Sequence, residues 1–198
     1  MDKKYCEIGD VEAYTLSEIA GTFSDEVEEW IKGATRFIDN LANRSLVAPV
    51  IGSGDDEFED RYYDGTGVDY LIIDNCQEIN EIKIGDYYGD SLTINSSYIT
   101  FPKSTPYRRV VLKDTTFTEG IQNVTISGRW GYFNTVPADV KLACAIIVAG
   151  IINSQNPSNQ VKKSESIGDY SVSYLDDKGI ADYAHALEII GKYKLITF

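Results

Sequence analysis

VTISGRWGYFNTVPADVKLACAIIVAGII, residues 124–152, changes its period halfway along. Its first part, Val124 to Trp130, reads as a β-strand. Helical periodicity starts after Thr135-Val136-Pro137. Pro137 suits the first helical turn, where its missing N–H is no loss, and Asp139 complements the positive end of the dipole. Val140, Leu142, Ala143, Ala145, Ile146, Ile147, Val148, Ile151 and Ile152 are apolar almost all the way round. Such a helix is expected to be buried between layers or subunits rather than exposed on one side.

Upstream of this stretch the pattern is β-rich. Arg61 to Asp64, Val68 to Ile73, Ile79 to Ile84, Ser91 to Ile94, Tyr107 to Lys113 and a shorter Tyr98 to Phe101 read as strands, separated by turn residues. Before them lies an acidic loop, Gly52 to Asp60. Earlier still, Val27, Trp30, Ile31, Ala34, Ile38 and Leu41 recur at helical spacing behind the capping residue Ser24. They predict a helix over about 25–43, with a short helical piece at about 10–19.

Downstream, a polar linker at 153–159 leads to a strand pair within Ser164 to Tyr174. A last helix runs from about Ile180 to Tyr193. The order is helix, β-block, buried helix, strand pair, helix, which is α+β rather than alternating βαβ. The expected architecture is a small helical bundle with an antiparallel β-domain inserted between its two main helices. In residue terms, 1–58 and 133–198 form the helical part and 59–132 the insert.

Composition bounds the function. The 198 residues carry 18 Lys and Arg against 31 Asp and Glu, a net charge of −13. A duplex-DNA reader needs a basic face to displace counterions, and this chain is strongly acidic. With His185 as the only imidazole, a multi-His metal site cannot be built, and a Ser-His-Asp triad has a single candidate base. Cys6, Cys76 and Cys144 are odd in number and widely spaced, which predicts free thiols in a reducing compartment. The first residues lack the apolar core of a signal peptide. The longest apolar run, Leu142 to Ile152, spans about 11 residues where a membrane helix needs roughly 20.

Candidate chemistry is sparse. Asp55, Asp56, Glu57, Glu59 and Asp60 offer hard oxygen ligands but lack the spacing of a Ca²⁺ loop, so a solvated acidic surface is expected. His185 has no nucleophile motif near it. Cys144, inside the apolar helix, is expected to pack as a small hydrophobe. Asp64, Asp86 and Asp90 are candidates for the paired acids of a glycosidase, yet a chain this acidic supplies pairs by chance. No catalytic residue, metal or cofactor is predicted. The tyrosines, many beside acids, are expected in the sheet and at interfaces.

Several segments together resemble one family. These are Asp25-Glu26-Val27-Glu28-Glu29-Trp30-Ile31, Arg61-Tyr62-Tyr63-Asp64-Gly65, Asn123 to Tyr132 with its Gly-Arg-Trp-Gly-Tyr core, Val136 to Ala143, and Lys163 to Tyr174 with its Ile-Gly-Asp-Tyr-Ser-Val core. In this order they are similar to the head-tail adaptor (connector or neck) proteins of tailed double-stranded DNA phages. The resemblance implies a structural virion protein, made in the host cytoplasm, that forms a homo-oligomeric ring, usually dodecameric, under the portal. It further implies contact with the portal protein and with a tail completion, terminator or stopper protein. Duplex DNA would pass through the lumen without being gripped, and no membrane is involved. The portal-binding stretch would be the C-terminal segment, with Tyr193, Leu195, Ile196 and Phe198 as its anchor. The acids at 55–60 would face the lumen or rim, repelling phosphates. Trp30, Ile31, Ile38, Ile146, Ile147 and Ile151 are expected to pack subunits. The shortest family members are mostly helical, so the β-block is an elaboration. It also keeps open a second reading, a receptor- or carbohydrate-binding β-module of a phage tail.

Overall fold

Among the described residues, four helices and a six-stranded antiparallel sheet make up an α+β chain. The computed structural model describes residues 3–19, 24–49, 58–85, 91–94, 97–155, 165–167, 170–172 and 177–195. The chain divides into two units: Arg44–Thr135, which holds the sheet, and Asp2–Asn43 with Val136–Phe198, which holds the helices.

The helical unit contains α1 (Ile8–Thr15), α2 (Ser24–Ala42), α3 (Ala138–Gln155) and α4 (Asp177–Gly191), with a two-stranded hairpin described further on. Of the stripe expected on α2, Val27, Ile31, Ala34 and Ile38 are buried and Trp30 and Leu41 half-buried, and Ala42 is buried with them. Thr35 joins them because its hydroxyl donates to the Ile31 carbonyl at 2.8 Å and accepts the Tyr5 N–H at 3.1 Å. α3 packs against α1, α2 and α4. That explains its nearly unbroken apolar surface: Val140 and Ala143 to Ala149 are all buried inside this one chain. Leu142 is exposed, and Ile151 and Ile152 are half-buried.

In the other unit β1 (Glu59–Gly65), β6 (Gly120–Trp130), β2 (Tyr70–Gly85), β5 (Tyr107–Leu112) and β4 (Tyr98–Phe101) lie side by side in that order. β3 (Ser91–Ile94) pairs with the far end of β2. The remaining strands, β7 (Glu165–Ile167) and β8 (Tyr170–Val172), form the separate hairpin. Two of the expected strands, 68–73 and 79–84, are one strand, β2. Its register against β6 shifts between Cys76 and Glu78 and again between Ile79 and Glu81. Each bulge changes which side chains face inward, so the alternation breaks at 74–78 although the backbone continues. One face of the sheet carries the core of this unit, with Leu71, Ile73, Ile82, Val110, Phe117, Ile126 and Trp130 among its members.

Candidate functional site

Gly128-Arg129-Trp130-Gly131-Tyr132, the core of one quoted segment, sits where the chain enters and leaves the β-unit. Residues 45–48 run parallel to 131–133. The Tyr132 N–H donates to the Ser45 carbonyl at 3.1 Å, Phe133 N–H to Leu46 at 2.7 Å, and Ala48 N–H to Phe133 at 2.9 Å. Gly131 permits this approach. A Cβ there would lie 2.2 Å from the Ala48 nitrogen and 2.5 Å from the Val47 carbonyl carbon.

Arg129 is only 3% exposed. Its Nε and Nη2 donate to the Pro49 carbonyl at 3.0 and 2.8 Å, and Nη2 also to Asn134 Oδ1 at 2.7 Å. Nη1 reaches Glu78 Oε2 at 3.2 Å. A planar five-donor group is what such a divergent set of acceptors requires. Trp130 Nε1 donates to the Glu59 carbonyl at 2.7 Å, and the Arg61 guanidinium lies 4.7 Å from its ring centroid. The segment is therefore a structural clasp. Its sequence signal is a cation between glycine and tryptophan at the end of an alternating strand, and sequence reasoning did not assign it that role.

A different device recurs in the helical unit: tyrosine hydroxyls donate to aspartates. Tyr5 bonds Asp39, Tyr14 bonds Asp182 Oδ2 at 2.7 Å, and Tyr193 bonds Asp139 Oδ2 at 2.7 Å. The first two of these neutral-to-charged bonds tie the N-terminal segment and α1 to α2 and α4, and the third ties the segment after α4 to α3. Burial, then the Asp182 bond, raises the Tyr14 phenol to about 12 from an ordinary 10. The folded chain thus holds this proton more tightly than the unfolded chain. The contribution is complete below about pH 10 and is lost as pH climbs to about 12. Tyr14→Phe is expected to cost about 1 kcal/mol at pH 8. It should also remove part of the alkaline loss of stability, as measured by urea unfolding of variant and parent across pH 8 to 12.

Of the expected portal anchor, Tyr193 and Leu195 are half-buried in the helical unit. The Tyr193 hydroxyl meets Asp139 in the first turn of α3, and the Leu195 N–H donates to the Ala42 carbonyl at 2.8 Å. Ile196 and Phe198 lie outside the described residues, as do Asp55, Asp56 and Glu57. Glu59 and Asp60 are exposed at the start of β1. Ile31, Ile38, Ile146 and Ile147 are buried inside the bundle, while Trp30 and Ile151 keep surface available to a neighbour. His185 is exposed on α4. Cys6 Sγ and Cys144 Sγ lie 3.1 Å apart, both buried. Their mutual bond and burial push the Cys6 thiol upward, and burial pushes Cys76 to about 12. Among the described residues no cluster of three metal-ligating side chains occurs, and no helix is long and apolar enough to cross a membrane.

Residues 7–196 match the family model described as head completion protein. No curated protein matches the chain. Solved structures similar to it include a chain from the neck of an empty GTA particle computed with C6 symmetry. Its TM-score is 0.57 at 10% identity, over 96% of this chain and 90% of that one. A chain from the virion of a native gene transfer agent particle scores 0.57 at 10% identity, over 92% and 84%. A third, from the neck of a native GTA particle computed with C12 symmetry, scores 0.53 at 10% identity, over 100% and 97%. At that identity the likeness bears on the fold.

Proposed function

The chain belongs to the head completion protein family, and from that premise we propose that it closes the filled head as one subunit of a ring beneath the portal. Its role is structural and its place is the virion neck, between capsid and tail. In this reading the ring, a dodecamer by family resemblance, forms part of the DNA channel and offers its far side to a tail completion, terminator or stopper protein. The C-terminal segment with Tyr193, Leu195, Ile196 and Phe198 meets the portal. The acids Asp55, Asp56 and Glu57 face the lumen or rim, where negative charge keeps duplex DNA sliding rather than held, with Glu59 and Asp60 following them into β1. Trp30 and Ile151 contribute to subunit packing. The reading assigns no catalytic step.

The observation that carries this reading is the family match across nearly the whole chain. Its neighbours in fold, drawn from particle necks computed with C6 and C12 symmetry, support the ring. The test is an add-back experiment. Heads made without this protein are expected to lose DNA to nuclease and to reject tails until the purified chain is supplied. A chain ending at Gly191 should not bind the portal. A variant with Asp55, Asp56 and Glu57 changed to Asn or Gln should assemble yet alter DNA retention or ejection. Heads that keep their DNA and accept tails without the protein would overturn the proposal.

A further inference from the structure

The two ends of the six-stranded sheet differ in a way that invites a partner. β1 and β4 are its terminal strands, and each pairs on one side only among the described residues. A terminal strand leaves a row of N–H and C=O groups without a ladder partner.

At the β4 end the outward face is apolar. Register places Tyr70 opposite Val111 and Val111 opposite Ile99, while Ile72 stands opposite Arg109 and Arg109 opposite Phe101. The alternate residues, Leu71, Ile73, Val110 and Leu112, fill the core on the other face. Yet Ile72 is 64% exposed, and Tyr70, Ile99 and Phe101 are exposed with it. A sheet with one wet face normally shows polar residues there, so a contiguous apolar patch of this kind marks an interaction surface. The patch is also positively charged. Residues 97–113 hold Lys103, Arg108, Arg109 and Lys113 and no acid, in a chain whose net charge is −13, and of the two arginines Arg109 shares the patch by register while Arg108 alternates to the other face. All four cations are exposed, and the Arg109 guanidinium lies 5.5 Å from the Tyr70 ring centroid.

The opposite end is its complement. β1 exposes Glu59, Asp60 and Asp64, with Asp74 of β2 beside them and Tyr62 61% exposed. Arg61 is already engaged, 2.8 Å from Asp74.

We propose that neighbouring copies join head to tail through this sheet: β4 and the apolar, basic face beside it on one copy meet β1 of the next. The occupant is a second copy because one chain carries both complementary surfaces, at opposite ends of one sheet. Two different surfaces meeting in this way form a heterologous contact, the kind that closes into a ring when its rotation permits. The inference deepens the ring reading above and rests on it.

Cross-linking in assembled particles tests it. A chain carrying both Tyr62→Cys and Ile99→Cys should give a ladder of covalent multimers with a short bis-maleimide. Either single variant should stay monomeric, since a heterologous contact never brings a position against itself. Dimers from a single variant would overturn the head-to-tail geometry. Rings visible by electron microscopy without a ladder would overturn this interface and leave the ring reading standing. Absence of rings from the particles would sink both. Charge exchange gives a second measurement if the cysteine pair disturbs assembly. Arg109→Glu, or Glu59→Lys with Asp60→Lys, should each cut incorporation about tenfold or more. All three changes in one chain should restore it, and failure to restore with soluble variants normally folded by circular dichroism would count against the contact.

Discussion

Gly131→Ala is expected to unfold the entry of the β-unit, lowering stability by about 3 kcal/mol or more. The added methyl would sit 2.2 Å from a backbone nitrogen and 2.5 Å from a backbone carbon. No rotamer change relieves a clash with main chain. Relief requires 131–133 to move off 45–48, and three backbone hydrogen bonds depend on that pairing. Thermal unfolding is the simplest check. A loss of this size corresponds to about 6–12 °C in Tm for a chain of this length. Gly67→Ala gives the contrast, since its added Cβ approaches nothing closer than the Glu119 Cβ at 3.8 Å. Its φ of +74° still carries strain, so the expected cost is about 1 kcal/mol. Equal effects at the two positions would show that close approach at Gly131 is not what matters.

Arg129→Met should cost about 3 kcal/mol for a different reason. Methionine fills part of the volume but leaves the Pro49 carbonyl and Asn134 Oδ1 without their donor. Glu78 contributes little to the loss, because its side chain is about half exposed and water replaces the partner. Arg129→Lys keeps the charge, yet one ammonium cannot reach acceptors spread across Pro49, Asn134 and Glu78, so it should recover less than half. Urea midpoints for the parent and both variants give the comparison, with an unchanged m-value marking a change in stability alone. If Lys restored full stability, charge rather than the planar fork would be what the site demands.

These two residues also show what the sequence made legible. α2 and α3 declared themselves because their apolar positions follow the helical period, and the nearly all-round apolar surface of α3 announced burial between layers or subunits, while the three helices that cover it within one chain came from the structure. The antiparallel sheet was legible as a block of β-formers. Its details were not, because β2 shifts register twice against β6, and a period-two reading cannot follow a strand that changes faces. Arg129 went unassigned since its acceptors at Pro49 and Glu78 are remote in sequence. The tyrosines were expected in the sheet and at interfaces, and three that lie outside the sheet donate to aspartates inside the helical unit. That pairing depends on separations of 34 to 168 residues, which local pattern does not encode. The patch formed by Tyr70, Ile72, Ile99 and Phe101 was equally hidden, because only strand order places β4 beside β5 and β5 beside β2.

The parallel pairing of 45–48 with 131–133 has a consequence for how the chain reaches this structure. α2 leaves the ribosome long before α3, the helix it packs against most. Bringing ends together costs more as the intervening loop grows, about 0.6 kcal/mol for each doubling of a flexible chain. A β-unit that has already folded removes that penalty, because its own backbone bonds hold the two exits together. The expected order of synthesis and folding is then sheet first, bundle second, although half of the bundle is made before the sheet. The clasp thereby turns a remote contact such as Cys6 with Cys144, separated by 138 residues, into one that is local in time.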